Sequence, residues 1–371
     1  MKSTNPFVIY GYEGPSTFCD RQEETEKLLQ AIRNGRNVTL LAERRIGKTG
    51  LIKHVFRQLA EEGEMATVYV DVFATRNLME FTKCFASAVV GCMDTSIEKA
   101  LEAASRFFKS FRPGISIDPL TGARTFSFAL QPPQVETTLK ECFDYLAANG
   151  PSVVAVDEFQ QIAAYPETGT EALLRSFVQF LPNVRFIFAG SRHHLMTEMF
   201  ASAKRPFYNS TQTLPLERID RERYFAFASQ KMSAGGVTLG REAFDLVLNL
   251  FDGITWFVQM TLNRLYERRS ATVDDVRTVV DELLCEKRWE YAALLKSLPD
   301  GSVRLLRAVA RAGKAKAVTS VNFMAQNALR GSSSVHVALN SLIEDEVLYD
   351  CGDGYVVYDR LFGLWLARLP V

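Results

Sequence analysis

Residues 42–49, which read Ala-Glu-Arg-Arg-Ile-Gly-Lys-Thr, combine a glycine, a lysine and a hydroxyl at a spacing that can do chemistry. This pattern is typical of a loop that wraps backbone N–H groups around phosphates. Gly47 lets the backbone approach a phosphate without a Cβ clash. We expect Lys48 to reach the β- and γ-phosphates and the Thr49 hydroxyl to ligate Mg²⁺. Ala42 stands where glycine is more common. The alternative is a basic loop without a ligand.

We expect the whole loop to contact a nucleotide, ATP or ADP, with Mg²⁺ as the accompanying ion. The helix that follows begins at Gly50, so its first N–H groups add to the positive potential at the phosphates. The predicted nucleotide-binding residues of this segment are Ala42, Glu43, Arg44, Arg45, Ile46, Gly47, Lys48, Thr49 and Gly50.

Two acids, Asp157 and Glu158, end the apolar run that starts at Ser152. An acid at the end of a buried strand is costly unless a cation accompanies it. We expect Asp157 to hold Mg²⁺, mostly through water, and Glu158 to orient or deprotonate the attacking water. The alternative is a pair of strand-end acids that face solvent.

Ser191 follows the next apolar run, where a hydroxyl can sense the γ-phosphate or the attacking water. The alternative is a simple strand-to-loop turn. Transition-state charge can be stabilised by an arginine of the same or a neighbouring chain, although each candidate can also be a solvated surface charge. The candidates are Arg44, Arg45, Arg192, Lys204 and Arg205. The predicted catalytic set is Lys48, Glu158, Ser191 and Arg205.

Five short apolar runs alternate with helical segments, which predicts an α/β fold with a mostly parallel sheet. The runs are Val38–Leu41, Thr67–Asp71, Ser152–Asp157, Arg185–Ala189 and Thr211–Leu216. Residues 20–35 read as an amphipathic helix with Asp20 as its N-cap. Strand-like alternation around the turn signal Asp118–Gly122 predicts a hairpin inserted near 112–131.

The remainder of the chain divides at Leu298–Gly301, which contains the break Pro-Asp-Gly. Before it, from about residue 218, the pattern is helical. After it, three helices and a hairpin are the pattern of a winged helix. The three helices are Val303–Ala312, Val321–Leu329 and Ser332–Asp345. The predicted domains are therefore an α/β core (1–217), a helical domain (218–297) and a winged-helix domain (298–371).

The charges balance, with 43 Lys and Arg against 43 Asp and Glu, which excludes a protein that binds polyanions through its bulk charge. Residues 301–343 carry six basic residues and no acid, whereas 344–371 carry six acids and two arginines. Asp350 and Asp353 at the predicted hairpin tip would repel phosphates. We therefore favour a protein partner or self-association, and DNA stays an alternative that we do not favour.

Composition and cysteine usage favour a cytoplasmic location. No apolar run approaches the roughly 20 residues that span a bilayer. The first residues lack the apolar run of a signal peptide. The six cysteines are scattered without a Cys-x-x-Cys pair, so reduced thiols are the simplest interpretation.

Several of these segments together resemble the prokaryotic "archaeal ATPase" family, a branch of the STAND ATPases related to AAA+ proteins. The similar segments are Asn5–Phe7, Phe18–Glu23, Glu43–Thr49, Asp157–Phe159 and Gly190–Ser191. The resemblance implies a five-stranded P-loop NTPase core, a helical lid and a C-terminal winged helix.

The resemblance also implies that Phe18 and Arg21 lie beside the adenine base. Asp20 replaces the glycine of the family's Phe-x-Gly-Arg box, and Thr255 replaces the proline of a Gly-x-Pro turn in the lid.

Loop, acids and domain pattern together predict an ATP-binding protein with slow Mg²⁺-dependent ATP hydrolysis. It would act as a nucleotide-controlled switch, with ATP between the phosphate loop and the helical lid. One alternative is a DNA-binding ATPase that acts through its winged helix. The other is an interaction module that holds a nucleotide without hydrolysing it.

Overall fold

The computed structural model describes residues 5–93, 113–117, 124–128 and 130–370. The chain forms two compact units, Tyr10–Ile219 and Asp220–Val371, and the start of the chain up to Ile9 belongs with the second. The chain passes from the first unit to the second after Ile219, close to the expected start of the helical domain at residue 218. The three-domain division stays a proposal.

In the first unit, strands and helices alternate along the chain. The strands are β1 (Val38–Ala42), β2 (Ala66–Asp71), β3 (Pro113–Ile117), β4 (Arg124–Phe128), β5 (Ser152–Asp157), β6 (Val184–Gly190) and β7 (Gln212–Leu216). The α-helices are α1 (Gln22–Arg33), α2 (Lys48–Glu62), α3 (Leu78–Met93), α4 (Val135–Ala148), α5 (Thr170–Val178) and α6 (His193–Ala201). Short 3₁₀ turns lie at Pro15–Thr17, Pro132–Gln134 and Phe159–Ala164.

Five strands form one parallel sheet in the order β2-β5-β6-β1-β7. Every residue of β1 and β5 is buried, as expected for inner strands covered on both faces. The edge strand β2 is only partly buried. The register aligns Asp71 with Asp157, so both acids lie at the same edge of the sheet. The predicted parallel α/β sheet is confirmed.

The two remaining strands, β3 and β4, pair with each other in antiparallel register. Both fall inside residues 112–131, where the alternation predicts a hairpin. The predicted turn at Asp118–Gly122 lies outside the described residues.

The start of α1 differs from the prediction. Asp20 is not its N-cap: the helix begins at Gln22, and the capping position belongs to Arg21, whose side chain makes no capping hydrogen bond. Asp20 and Arg21 both have left-handed backbone conformations, with φ 54° and 71°.

An aromatic cluster packs behind the carboxyl edge of the sheet. Phe188 of β6 is 2% exposed. Its ring centroid lies 4.5 Å from that of Phe159, 5.4 Å from that of Phe200 and 5.2 Å from that of Phe207. Phe159, the residue after Glu158, is thus held in the core by its own ring. This contact anchors the start of the 3₁₀ turn that follows Glu158.

The second unit is mostly helical. Its elements are α7 (Arg221–Ala234), α8 (Arg241–Leu250), α9 (Thr255–Arg268), α10 (Val273–Ser297), α11 (Asp300–Ala312), α12 (Val321–Gln326), α13 (Ser332–Glu344), β8 (Leu348–Asp350), β9 (Tyr355–Val357) and α14 (Arg360–Ala367). Thr272 and Asp275 form a capping box at the start of α10. The start of the chain joins this unit, because the side-chain amides of Asn5 and Asn263 donate to the backbone carbonyls of Asn263 and Phe7.

Elements α11 to β9 confirm the predicted winged helix. The hairpin pairs Leu348 with Val357, and an isolated bridge joins Ala315 to Tyr355. The middle helix ends at Gln326, three residues earlier than predicted, and Ala328 just beyond it has φ 52°. Helix α14 was not predicted. The Asp359 side chain caps it by accepting the Phe362 N–H at 3.0 Å.

Truncation of Phe188 tests the aromatic core. We expect Phe188→Ala to lower the free energy of unfolding by about 3–5 kcal/mol, because it opens a cavity among closely packed rings. Phe180→Ala is the matched control: its ring is 76% exposed, and we expect a change within about 0.5 kcal/mol. Denaturant unfolding measures both. Equal effects of the two substitutions would contradict the assigned core.

Candidate functional site: the phosphate loop and its acids

The predicted phosphate loop connects β1 to α2, as such a loop must. Its backbone turns through left-handed conformations at Arg45 (φ 69°) and Gly47 (φ 98°). Helix α2 begins at Lys48, and its N-cap is Gly47, which has no side chain that could cap the first N–H groups. A 15-residue helix therefore presents uncapped donors and the positive end of its dipole at the loop.

Lys48 and the two strand-end acids form one buried charge cluster. The Lys48 ammonium lies 2.7 Å from Asp157 Oδ1 and 3.0 Å from Glu158 Oε1. The side chains of Lys48 and Asp157 are 8% and 4% exposed, and that of Glu158 is 17% exposed. Two carboxylates and one cation leave one net negative charge at this edge of the sheet.

Both carboxylate oxygens of Asp157 are saturated with donors. Thr49 Oγ1 donates to Oδ2 at 2.9 Å, and the Tyr69 hydroxyl donates to the same oxygen at 2.7 Å. The Glu158 N–H donates to Oδ1 at 2.9 Å. The predicted magnesium ligands Thr49 and Asp157 are therefore in direct contact.

Glu158 is held by a second set of donors. Gln160 Nε2 and Ser191 Oγ donate to its Oε2 at 2.6 and 2.8 Å, while Lys48 contacts Oε1. Glu158 has a left-handed backbone (φ 55°), which turns its side chain away from the strand direction. A Cβ at Gly190 would lie 2.3 Å from Gln160 Oε1, so only glycine leaves room for this amide. Ser191 thus orients Glu158.

Burial and the lysine charge act in opposite directions on the two acids. Burial alone would raise the pKa of Asp157 and of Glu158, but the Lys48 charge and the donated hydrogen bonds outweigh it and hold each pKa below its usual value. Asp71, at the end of the neighbouring strand, has a raised pKa because it is partly buried and faces both acids. Lys48 and the donated hydrogen bonds therefore favour the ionised form of both acids.

The other predicted loop residues are also engaged. Glu43 forms an ion pair with Arg218 at 3.0 Å. The Arg44 guanidinium lies 5.6 Å from the centre of the Phe73 ring. Ala42 ends β1, and the side chain of Ile46 is 2% exposed.

The two residues predicted beside adenine lie in different surroundings. Phe18 stacks on His54 of α2 at 4.4 Å, and a Cβ at Gly50 would lie 3.5 Å from the Phe18 ring. Arg21 is 3% exposed and donates to the carbonyl of Ile46 at 3.0 Å. Phe18 therefore lies against the first turn of α2, and Arg21 contacts the phosphate loop.

The ion pairs of Arg205 are with acids other than Asp157 and Glu158. Arg205 pairs with Glu171 at 2.8 Å and with Glu198 of α6 at 3.7 Å. Arg192 takes the N-cap position of α6, and Lys204 is exposed. The turn Gly253–Trp256, which the resemblance places in a lid, joins α8 to α9, with Thr255 as the first residue of α9.

Sequence reasoning missed Tyr69 and Gln160. Tyr69 lies in a run read only as a strand, and its contact with Asp157 follows from the adjacency of β2 and β5, which no local pattern reveals. Gln160 had a weak signal, because it lies two residues beyond Glu158.

Comparison with known proteins supports the fold of the whole chain. Residues 289–368 match the family model described as a probable winged helix domain. No curated protein sequence matches the chain. A Walker-type ATPase of Pyrococcus abyssi is similar in structure, with a TM-score of 0.66 and 18% identity, over 97% of this chain and 99% of that one.

Two proteins of Aeropyrum pernix, ORC2 and ORC1, are also similar in structure. The ORC2 protein, in ADPNP–ADP complexes, has a TM-score of 0.60 and 16% identity over 99% of this chain and 96% of its own. The ORC1 protein, in complex with DNA, has a TM-score of 0.55 and 14% identity over 99% and 98%. The chain thus has the fold of P-loop ATPases that carry a winged helix, as the sequence resemblance implies.

Replacement of Lys48 tests the electrostatics of the cluster. In the wild type, the pKa values of Asp157 and Glu158 are lower folded than unfolded. Their stabilisation is present above about pH 4 and is lost as the pH falls through the folded pKa values. In Lys48→Met the buried acids lack a cation, so we expect raised pKa values and a stability that falls as the pH rises from about 4 to 7.

The loss at neutral pH should be about 3–5 kcal/mol. Denaturant midpoints across the pH range measure it, with Lys140→Met as control, because Lys140 is 60% exposed and forms a surface ion pair with Asp144. Parallel pH profiles for Lys48→Met and the wild type would contradict the assigned charge cluster.

Proposed function

We propose that the protein binds ATP at the loop of residues 42–49 and hydrolyses it slowly in the presence of Mg²⁺. The contact of Lys48 with Asp157 and Glu158 carries the proposal, because it joins a phosphate-binding lysine to two ionised acids. The shared fold of the ATPase neighbours supports it further.

The donors present fit a magnesium nucleotide. Thr49 supplies a hydroxyl and Asp157 a carboxylate, which are oxygen ligands of the kind Mg²⁺ takes, with water in the remaining positions. The uncapped start of α2 and the loop N–H groups suit the phosphates. When bound, the ion would neutralise charge on the phosphates.

The residues around Glu158 suit it to orient or deprotonate water. Ser191 and Gln160 hold one carboxylate oxygen, while the other is shared with Lys48. A phosphate that enters the loop would compete with Asp157 and Glu158 for Lys48. Binding would therefore release Oε1 of Glu158 from Lys48 and leave this oxygen able to accept a hydrogen bond. Arg205 stays a candidate for transition-state charge that would have to exchange its pairing with Glu171.

Slow hydrolysis suits a nucleotide-controlled switch. Loss of the γ-phosphate would return Lys48 to its carboxylates and relax the loop, and we propose that the helical and winged-helix parts of the chain respond to this change. A protein partner or a second copy of the chain would sense the result. In the described residues, no helix is long and apolar enough to cross a membrane.

Two substitutions test nucleotide binding and turnover. We expect Lys48→Ala to weaken ATP binding by about 10- to 100-fold or more, because a charge-assisted contact to phosphate is lost. Glu158→Gln should keep ATP affinity and lower turnover by about 100-fold or more, because the base is lost. Calorimetry and phosphate release measure the two effects, with Lys140→Ala as control.

Each alternative has a distinct result in these assays. ATP affinity of Lys48→Ala equal to that of the wild type would show that the site is misassigned. Wild-type phosphate release no faster than that of Glu158→Gln would favour a module that holds the nucleotide without hydrolysis.

DNA binding through the winged helix is the second candidate. The exposed residues of α13 include Ser333, His336, Val337 and Asn340, which offer polar and apolar groups without acidic charge. Lys314 forms an ion pair with Asp353 near the hairpin tip, which reduces the repulsion expected from that acid. The similar ORC1 protein was solved in complex with DNA.

A salt titration of duplex DNA binding by fluorescence anisotropy separates the two functions. We expect no binding that falls steeply with salt, because acids remain at the hairpin. A DNA-binding winged helix with about 6–10 phosphate contacts would lose roughly 10³- to 10⁵-fold in affinity between about 50 and 200 mM salt. Such a loss, reduced in Arg330→Glu, would establish the DNA alternative.

A further inference from the structure

Arg21 is a buried cation whose contacts lead to the phosphate loop. Its side chain is 3% exposed. One terminal nitrogen donates to the Ile46 carbonyl at 3.0 Å, and the other donates to Glu24 Oε1 at 2.8 Å. We propose that Arg21 is a positioning residue that sets the phosphate-binding conformation of the loop through Ile46, and that it makes no contact with the base. This inference rests on the proposed function.

The geometry of the peptide bond connects this contact to phosphate binding. The peptide between Ile46 and Gly47 is planar and trans, so its C=O and N–H point in opposite directions. The bond from Arg21 to the Ile46 carbonyl therefore also fixes the direction of the Gly47 N–H. Backbone N–H groups of this loop are the donors that such sites use for phosphates.

The loop requires an external restraint at this point. Gly47 has no Cβ, so the peptide plane before it can rotate among many conformations at little cost. Its observed φ of 98° lies outside the range that other residues favour. Because ordering a binding loop costs affinity, a clamp that orders it beforehand makes binding tighter. The guanidinium supplies that clamp from outside the loop.

The chain around Arg21 is built to keep the guanidinium in place. Asp20 and Arg21 are consecutive residues with left-handed backbones, a conformation that costs roughly 1–3 kcal/mol for each non-glycine residue. Glu24, in the first turn of α1, neutralises the buried charge. The side chain of Ile46 is 2% exposed. Ile46 is therefore held both by its buried side chain and by the hydrogen bond to its carbonyl.

Binding of a ligand without a base separates phosphate positioning from base contact. We would measure ADP and tripolyphosphate, each with Mg²⁺, against wild type and Arg21→Met by calorimetry. We expect both ligands to lose about 10- to 100-fold in affinity, by the same factor, because the lost hydrogen bond acts on the phosphate donors. Arg33→Met is the control, since Arg33 of α1 pairs with Glu62 and Glu64 at the surface.

Arg21→Lys keeps the charge with a single donor centre, so we expect a smaller loss than in Arg21→Met, again equal for the two ligands. If Arg21→Met fails to fold by circular dichroism, Arg21→Lys decides in the same way. Glu24→Gln should weaken both ligands less than Arg21→Met, because the contact to Ile46 remains.

Three results would overturn the inference. They are a loss for ADP alone, which would place Arg21 at the base; unchanged affinity for both ligands; and a wild type that binds ADP but not tripolyphosphate. A wild type that binds neither ADP nor ATP would instead refute the proposed function, so the two failures are distinguishable.

Discussion

The burial of one ammonium group between two carboxylates is the constraint on which the site depends. A charge out of water is costly unless an opposite charge lies in contact, so Lys48, Asp157 and Glu158 must reach one point from distant parts of the chain. The sheet order achieves this, because β6 alone separates β1 from β5. Ser191, which follows β6, then lies within reach of Glu158. Strand order and charge burial thus bring these groups together at the carboxyl edge, where ligands of open α/β sheets bind.

Unfavourable backbone conformations occur in the segments around this site. Asp20, Arg21, Arg45 and Glu158 all have positive φ without being glycine. Such residues persist only where the surroundings over-determine them. Arg21 is held by the hydrogen bond of its buried guanidinium. Arg45 lies shortly before Gly47, at the start of a helix. The carboxylate of Glu158 is fixed by three donors. The strain indicates that side-chain placement at the loop has been favoured over local backbone preference.

The fold could be predicted from local patterns, whereas the contacts that orient the site could not. The apolar runs, the octapeptide before α2 and the strand-end acids are local signals, and all fall where the structure has them. Tyr69 reaches Asp157 only because β2 lies beside β5, and this adjacency is a property of the sheet. The residue type of Asp20 suggests an N-cap, but the capping position belongs to Arg21, whose buried side chain makes no capping hydrogen bond. Asp359 is a typical N-cap residue and could have indicated helix α14, but the sequence pattern assigns it to the end of the predicted hairpin.

Charged residues of the winged-helix segment form ion pairs within the second unit. Lys314 pairs with Asp353, Arg360 with Asp252 and Arg368 with Asp281. The first pair joins the basic block to the acidic block, whereas in the other two an arginine of the acidic block pairs with an acid of the preceding helical segments. Arg360 is 8% exposed and therefore buried. What is left for a polyanion is a few exposed cations beside exposed acids. Such a surface attracts a partner through shape and mixed charge more than through long-range attraction to phosphates. For this reason the partner that we propose for the winged helix is a protein surface rather than a DNA duplex.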